Sequence, residues 1–275
     1  MSADAIIAPP EAPRSRRIGS PVPHPLAVTA GLLVVLVVLW HLASSLAWVS
    51  PVFLPAPGKV LAAFGTLLGK GYVDSTLLQH AWASLSRVFS ALFFTVLIGV
   101  PAGLLIATSR VGRGLLDPLI EFIRPLPPLA YLPLVIIWFG IGEPSKILVI
   151  SLAMLAPITI STASGVRTTP QAQINAARSF GATRLQVLLH VLLPSALPSV
   201  LTGIRIALGA GWSTLVAAEL VAASRGLGFM IQSAAQFLVT DVVIAGILVI
   251  SLLAFGFEVL LRLFERLVLP WASHR

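Results

Sequence analysis

The chain has 275 residues, 57% apolar and only 10% charged, which is too little polar material to cover a water-soluble core, so composition places it in a bilayer. Its net charge is +8, but the cations lie in short loops and tails, with no patch of interleaved aromatics, which speaks against nucleic acid as a partner. There is no cysteine, which excludes disulfides, thiol catalysis and thiolate metal sites.

In chain order, residues 1–25 are rich in Pro, Ala, Ser and Arg without apolar periodicity and read as a disordered tail. Arginines before an apolar run with small residues near Ala43 also fit a secretory signal. That run is too long for a signal core, however, and further spans follow it. Five apolar runs reach the roughly 20 residues needed to cross hydrocarbon. They are Leu26 to Trp48, Val88 to Thr108, Ile147 to Val166, Leu197 to Ala222 and Val242 to Leu261. A sixth, Leu115 to Phe139, carries Asp117, Glu121, Arg124 and the prolines Pro125, Pro127, Pro128 and Pro133. Prolines leave carbonyls unpaired, so this span is expected to face protein or a polar path instead of lipid.

Lysine and arginine are retained in short cytoplasmic loops. With the N-terminus inside, the inner segments hold Arg14, Arg16, Arg17, Arg110, Arg113, Arg167, Arg178, Arg184, Arg262, Arg266 and Arg275, and the outer ones only Lys59, Lys70, Arg87, Lys146 and Arg225. Both termini are therefore expected in the cytoplasm, with six spans. Pro51 to Arg87 should lie outside, with a surface helix from Val60 to Leu68. The stretch Ala223 to Thr240 is too polar to span and should form a re-entrant or surface-lying outer element, with Gly226 and Gly228 permitting a sharp reversal.

Catalytic signatures are missing: no lysine sits in a phosphate-binding loop, no nucleophile elbow is present, and His24, His41, His80, His190 and His274 form no i, i+4 metal pair. Ionisable groups at membrane depth either meet a solute or sit at helix mouths. Arg124 and Glu121, three apart, are placed to pair. Arg124, Trp138, Trp212, Glu219 and Gly228 are the candidates for a translocation path or gate.

The polar segment between the third and fourth of the regular runs carries Arg167, Arg178 and Arg184, small residues at helical spacing, a glycine suited to a left-handed turn and a proline suited to starting a helix. Its pattern Asn175-Ala176-Ala177-x3-Gly181-x9-Val191-x-Leu193-Pro194 resembles the E-A-A-x3-G-x9-I-x-L-P signature of the permease subunits of ATP-binding-cassette importers. Asn175 stands where the family usually has Glu, and Val191 where it has Ile. The strings Leu116 to Glu121, Arg124 to Pro128, Ile137 to Glu143 and Ser145 to Leu148 resemble the nitrate, sulfonate and taurine branch. Gly211 to Leu220, Arg225 to Met230 and Thr240 to Val243 are most like its taurine permeases.

The resemblance implies an all-α polytopic protein with the type I importer transmembrane fold, in a bacterial inner membrane. Residues 1–25 would be the cytoplasmic tail, 26–48 the first span and 49–80 a periplasmic segment. Residues 81–266 would be the core, with five further spans and a coupling loop at 167–194, and 267–275 a cytoplasmic tail. It further implies a non-catalytic permease moving taurine inward by alternating access, with alkanesulfonates or nitrate as alternative solutes; an ion-coupled secondary transporter is the alternative of a different class. Expected partners are a second permease copy, two cytoplasmic ATPase subunits and a periplasmic binding protein. The chain itself would hold no cofactor or metal, since ATP and Mg would sit on the ATPase. Pro170 to Arg184 would form the coupling helix. There Ala176 and Ala177 would allow close approach, Gly181 the turn, and Arg178 and Arg184 pairing with acidic groups; Val191 and Pro194 complete the signature.

Overall fold

A computed structural model describes residues 25–269, and apart from one isolated bridge between Tyr72 and Ser75 these form helices and their connections. The expected N-terminal tail lies outside the described residues but for Pro25, as do residues 270–275. The elements are α1 (Pro25–Ser45), α2 (Pro57–Gly69), α3 (Leu77–Thr108), α4 (Arg110–Ile123), α5 (Pro128–Phe139) and α6 (Glu143–Arg167). They continue with α7 (Gln171–Ser179), α8 (Arg184–Val187), a π-helical turn (Leu188–Leu192), α9 (Leu193–Ala222), α10 (Leu227–Gln236) and α11 (Thr240–Val268).

Five stretches are long and apolar enough to cross a membrane: most of α1, then α3, α6, the continuous run Arg184–Val221, and α11. The sixth exists only as a bent pair, α4 and α5, whose axes meet at 105°. Their 14 and 12 residues are each too short for about 30 Å of hydrocarbon. The expected span Leu115 to Phe139 is thus present as a broken pair and not as one continuous helix. The helix begins at Arg110, where the Ser109 hydroxyl caps the Gly112 N–H, and breaks between Arg124 and Pro127. Pro127 disfavours helical geometry at Leu126, and Pro125 and Pro127 bring no N–H to continue the ladder.

Two other boundaries move for physical reasons. Helix α3 starts at Leu77, eleven residues before the expected Val88, because Thr76 and Gln79 form a reciprocal capping box and the polar residues of its first turns find partners inside the protein. Arg87 and Lys146, counted among outer loop cations, are each only 4% exposed. The run ending in α9 begins at Arg184, behind a second capping box made by Thr183 and Gln186. Pro194 therefore does not start that helix; it follows the π turn, which absorbs the missing hydrogen bond.

Helix α6 lies between α3 and α9, and Val88, Ala91, Ile150, Met154, Ile158, Ala207 and Leu215 fill the seam. Close approach depends on small residues, as expected where lipid supplies no hydrophobic drive between helices. A Cβ at Gly103 would lie 2.6 Å from the Thr159 carbonyl oxygen, and one at Gly203 2.6 Å from Ser161 Cβ. Helix α1 stands at the periphery with its aliphatic side chains exposed, and the Trp40 indole N–H donates to the Pro55 carbonyl at 3.0 Å. The ten-residue α10 is too short to span and buries Leu227, Met230 and Ala234 against α2 and α11.

Candidate coupling element and translocation cleft

The coupling signature forms a compact corner. Helix α7 is amphipathic: Ile174 and Ala177, three apart, pack on Val166, Val187 and Leu192, while Asn175, Ala176, Arg178 and Ser179 are exposed. Gly181 ends it at φ +81, a left-handed position where a side chain is strained although the space is open. Asn175 accepts from the Gln171 side-chain amide at 3.0 Å, so the position that usually carries Glu is used within the helix. Arg178 and Arg184 line a cavity of about 700 Å³ with Arg167 and Gln171. Arg167 meets Asp117 at 3.6 Å, whereas Arg178 and Arg184 form no ion pair among the described residues. Val191 packs inward and Pro194 is exposed.

Sequence reasoning missed Phe180. It is 92% exposed at the C-cap of α7 and borders a groove with Gly181, Ala182, Gln186 and His190. The available signal was a large aromatic in an otherwise polar segment.

Glu219 and Gly228 come together, but in a largely buried polar knot whose edge, at Glu143, is exposed. The Arg87 guanidinium grips Glu143 with two bonds, Nε to Oε2 at 2.6 Å and Nη2 to Oε1 at 2.7 Å. Its Nη1 donates to Glu219 Oε1 at 2.6 Å and to the Arg225 carbonyl at 2.7 Å, and Lys146 Nζ reaches Glu143 at 2.9 Å. Glu219 is wholly buried and sits at the N-terminus of α10, where it accepts from the Gly228 N–H at 2.8 Å and the Ser84 hydroxyl at 2.8 Å. Ser84 in turn accepts from the Leu227 N–H at 2.8 Å, and His80 Nδ1 from the Gly226 N–H at 3.1 Å. The backbone hugs the carboxylate: a Cβ at Gly226, φ +138, would lie 2.4 Å from Glu219 Cδ, and one at Gly228 3.0 Å from Glu219 Cβ. Two acids and two bases thus pin α3, α6, α9 and α10 together. Arg87, a main member, was placed in a loop by sequence reasoning.

Arg124 goes elsewhere. At the break between α4 and α5 it lines a cleft of about 480 Å³ against the middle of α6 and α9, with Tyr131, Ser161, Ser213 and Thr214. It does not pair with Glu121. Trp212 packs in the central seam near Phe257, Trp138 is 67% exposed on α5, and neither lines the cleft.

The family described as binding-protein-dependent transport system inner membrane component matches residues 99–270. The chain belongs to this family, the permease subunits of ATP-binding-cassette importers. It is accordingly a non-catalytic, multi-pass inner-membrane subunit that works with an ATPase, which holds the ATP, and with a solute-binding protein. It is 54% identical over 252 residues to the taurine transport system permease protein TauC of Escherichia coli (strain K12), covering 91% of this chain and 92% of the relative. A putative aliphatic sulfonates transport permease of the same organism is 41% identical, covering 86% and 88%. Among solved structures, the MetNI methionine ABC transporter in an inward-facing conformation matches with TM-score 0.57 at 23% identity, over 68% of this chain and 94% of that one. An amino acid ABC transporter matches with TM-score 0.57 at 19% identity, over 75% and 96%. These likenesses establish the type I importer permease fold.

Proposed function

We propose that this permease imports taurine, with two identical copies enclosing one path, both termini in the cytoplasm, and α7 as the coupling helix that docks on the ATPase. The observation that carries the solute assignment is the 54% identity to a taurine transport permease across nearly the whole of both chains. The exposed polar face of α7 with Arg178, its left-handed Gly181 and the uncovered Phe180 support the docking role, because an ordinary retained loop needs cations only. Closure of the ATPase dimer would push α7, and the continuous helical run from Arg184 into α9 would carry the push to the cleft. Alkanesulfonates are the second reading, favoured by the 41% identity to a sulfonate permease.

The test is uptake by the complete importer in proteoliposomes, with taurine competed by longer alkanesulfonates and by nitrate. Uptake that fails on ATP depletion but survives collapse of the membrane potential, with taurine the best competitor, is expected. Uptake abolished by collapse of the potential alone would mean an ion-coupled carrier. Orientation is checked with an Arg178→Cys variant in this cysteine-free chain. An impermeant maleimide on intact cells should leave it unlabelled, and labelling from outside would reverse the assigned orientation.

A further inference from the structure

We propose that the cleft at the α4–α5 break is an anion subsite in which Arg124 receives the sulfonate group of the solute, so that this permease itself selects for negative charge. The inference rests on the importer reading above and adds to it the residues that meet the solute.

The cleft lies half-way along the spans: its walls are Leu152, Ala153, Ala156, Pro157 and Ser161 of α6 and Ile206, Ala210, Ser213 and Thr214 of α9. Arg124 is itself exposed where it lines the cleft, whereas two arginines set within the long spans each hold two acidic partners. Arg87 holds Glu143 and Glu219, and Arg205 holds Glu258 and Glu265. Arg124 has none among the described residues, although Glu121 stands one turn away in sequence. No carboxylate lines the cleft.

The remaining polar groups are hydroxyls with free donor capacity. Neither Tyr131 nor Ser161 makes a side-chain hydrogen bond among the described residues, and nor does Thr214, which is only 5% exposed. Their oxygens are not among the buried atoms left without a partner, so they are open to the cleft and can donate to a ligand there. One guanidinium and several hydroxyl donors, with no competing acid, are complementary to a tetrahedral oxyanion and not to a cation. The bend supplies the geometry: a straight helix through Pro125 and Pro127 would carry Arg124 along a span, whereas the 105° turn leaves it at the corner facing α6 and α9. The subsite offers no counter-charge to an ammonium group, so recognition of the amine end of taurine falls to the delivering protein.

The absence of native cysteine permits a direct charge measurement. A Ser213→Cys variant of the assembled importer is modified in the cleft with a sulfonate-bearing methanethiosulfonate and with its trimethylammonium analogue. The ratio of the two rates should favour the anionic reagent, and adding Arg124→Gln should lower that ratio by about fivefold or more. Taurine should slow modification in the Arg124 parent and not in the Arg124→Gln variant. In uptake assays Arg124→Gln should reduce kcat/KM for sulfonate by about tenfold or more, with partial recovery by Arg124→Lys and retained co-purification of the ATPase. A rate ratio that moves by less than about twofold on Arg124→Gln, or equal uptake by Arg124→Gln and the parent, overturns the subsite. If the Arg124 parent moves no sulfonate at all, the importer reading fails, while the reagent ratio still decides whether the cleft attracts anions.

Discussion

The knot around Glu219 and the corner at α7 treat charge in opposite ways. In the knot four charged side chains and three backbone N–H groups find partners within the protein, with Arg87, Lys146 and Glu219 buried and Glu143 half-exposed at the edge. At the corner Arg178 and Arg184 form no ion pair among the described residues, Phe180 is uncovered, and the helix is held by two small apolar contacts. Burying an ion pair contributes little net stability, but removing one partner leaves the other stranded. The knot is therefore a point that the fold cannot lose, and the corner an uncovered surface of the kind that the proposed docking on the ATPase requires. Substitutions in the knot should remove the protein; those at the corner should leave it folded and uncoupled.

The largest effect is expected from Glu219→Ala, which removes the buried acidic partner of Arg87, leaves the Gly228 N–H and the Ser84 hydroxyl without their acceptor and empties the N-terminus of α10. About 3–5 kcal/mol should be lost, read as a collapse in membrane yield and in melting temperature in detergent. Glu219→Gln, which keeps shape and part of the hydrogen bonding, should be milder, and equal losses from the two would show that packing rather than charge holds the site. Next comes Gly226→Ala, which forces a side chain into a positive φ against the carboxylate and should cost about 1–3 kcal/mol. Gly228→Val should impair the fold as well as uptake, since its Cβ would press on Glu219 and on the Val216 carbonyl at 3.0 Å. Full assembly of Gly228→Val with lost uptake would instead assign this position to gating alone. The smallest effect belongs to the corner: Asn175→Glu exchanges one exposed helix residue for another and should stay within about 0.5 kcal/mol, with uptake preserved.

The two regions also differ in how legible they were. The corner could be read from sequence because its signals are local: Gly181 adopts the left-handed turn that its place in the signature suggests, and Ile174 and Ala177 fall on one helical face. The knot could not, because its members lie 132 residues apart along the chain for Arg87 and Glu219. An arginine at the edge of an apolar run looks like a loop cation until its acidic partner is placed beside it. The bent shape of the sixth span was missed for a related reason. Hydropathy counts residues, and it does not register that consecutive prolines turn the axis by 105°.

The central claim is that α7 and its left-handed glycine transmit the ATPase stroke. Gly181→Leu places a side chain at φ +81 in open space, a local strain of about 1–2 kcal/mol that the spans do not feel. The decisive measurement is co-purification of the ATPase subunit with Gly181→Leu, together with ATP-dependent taurine uptake in proteoliposomes. The account predicts normal insertion, loss of the ATPase and no uptake. A Gly181→Leu importer that retains its ATPase and transports like the parent would contradict it.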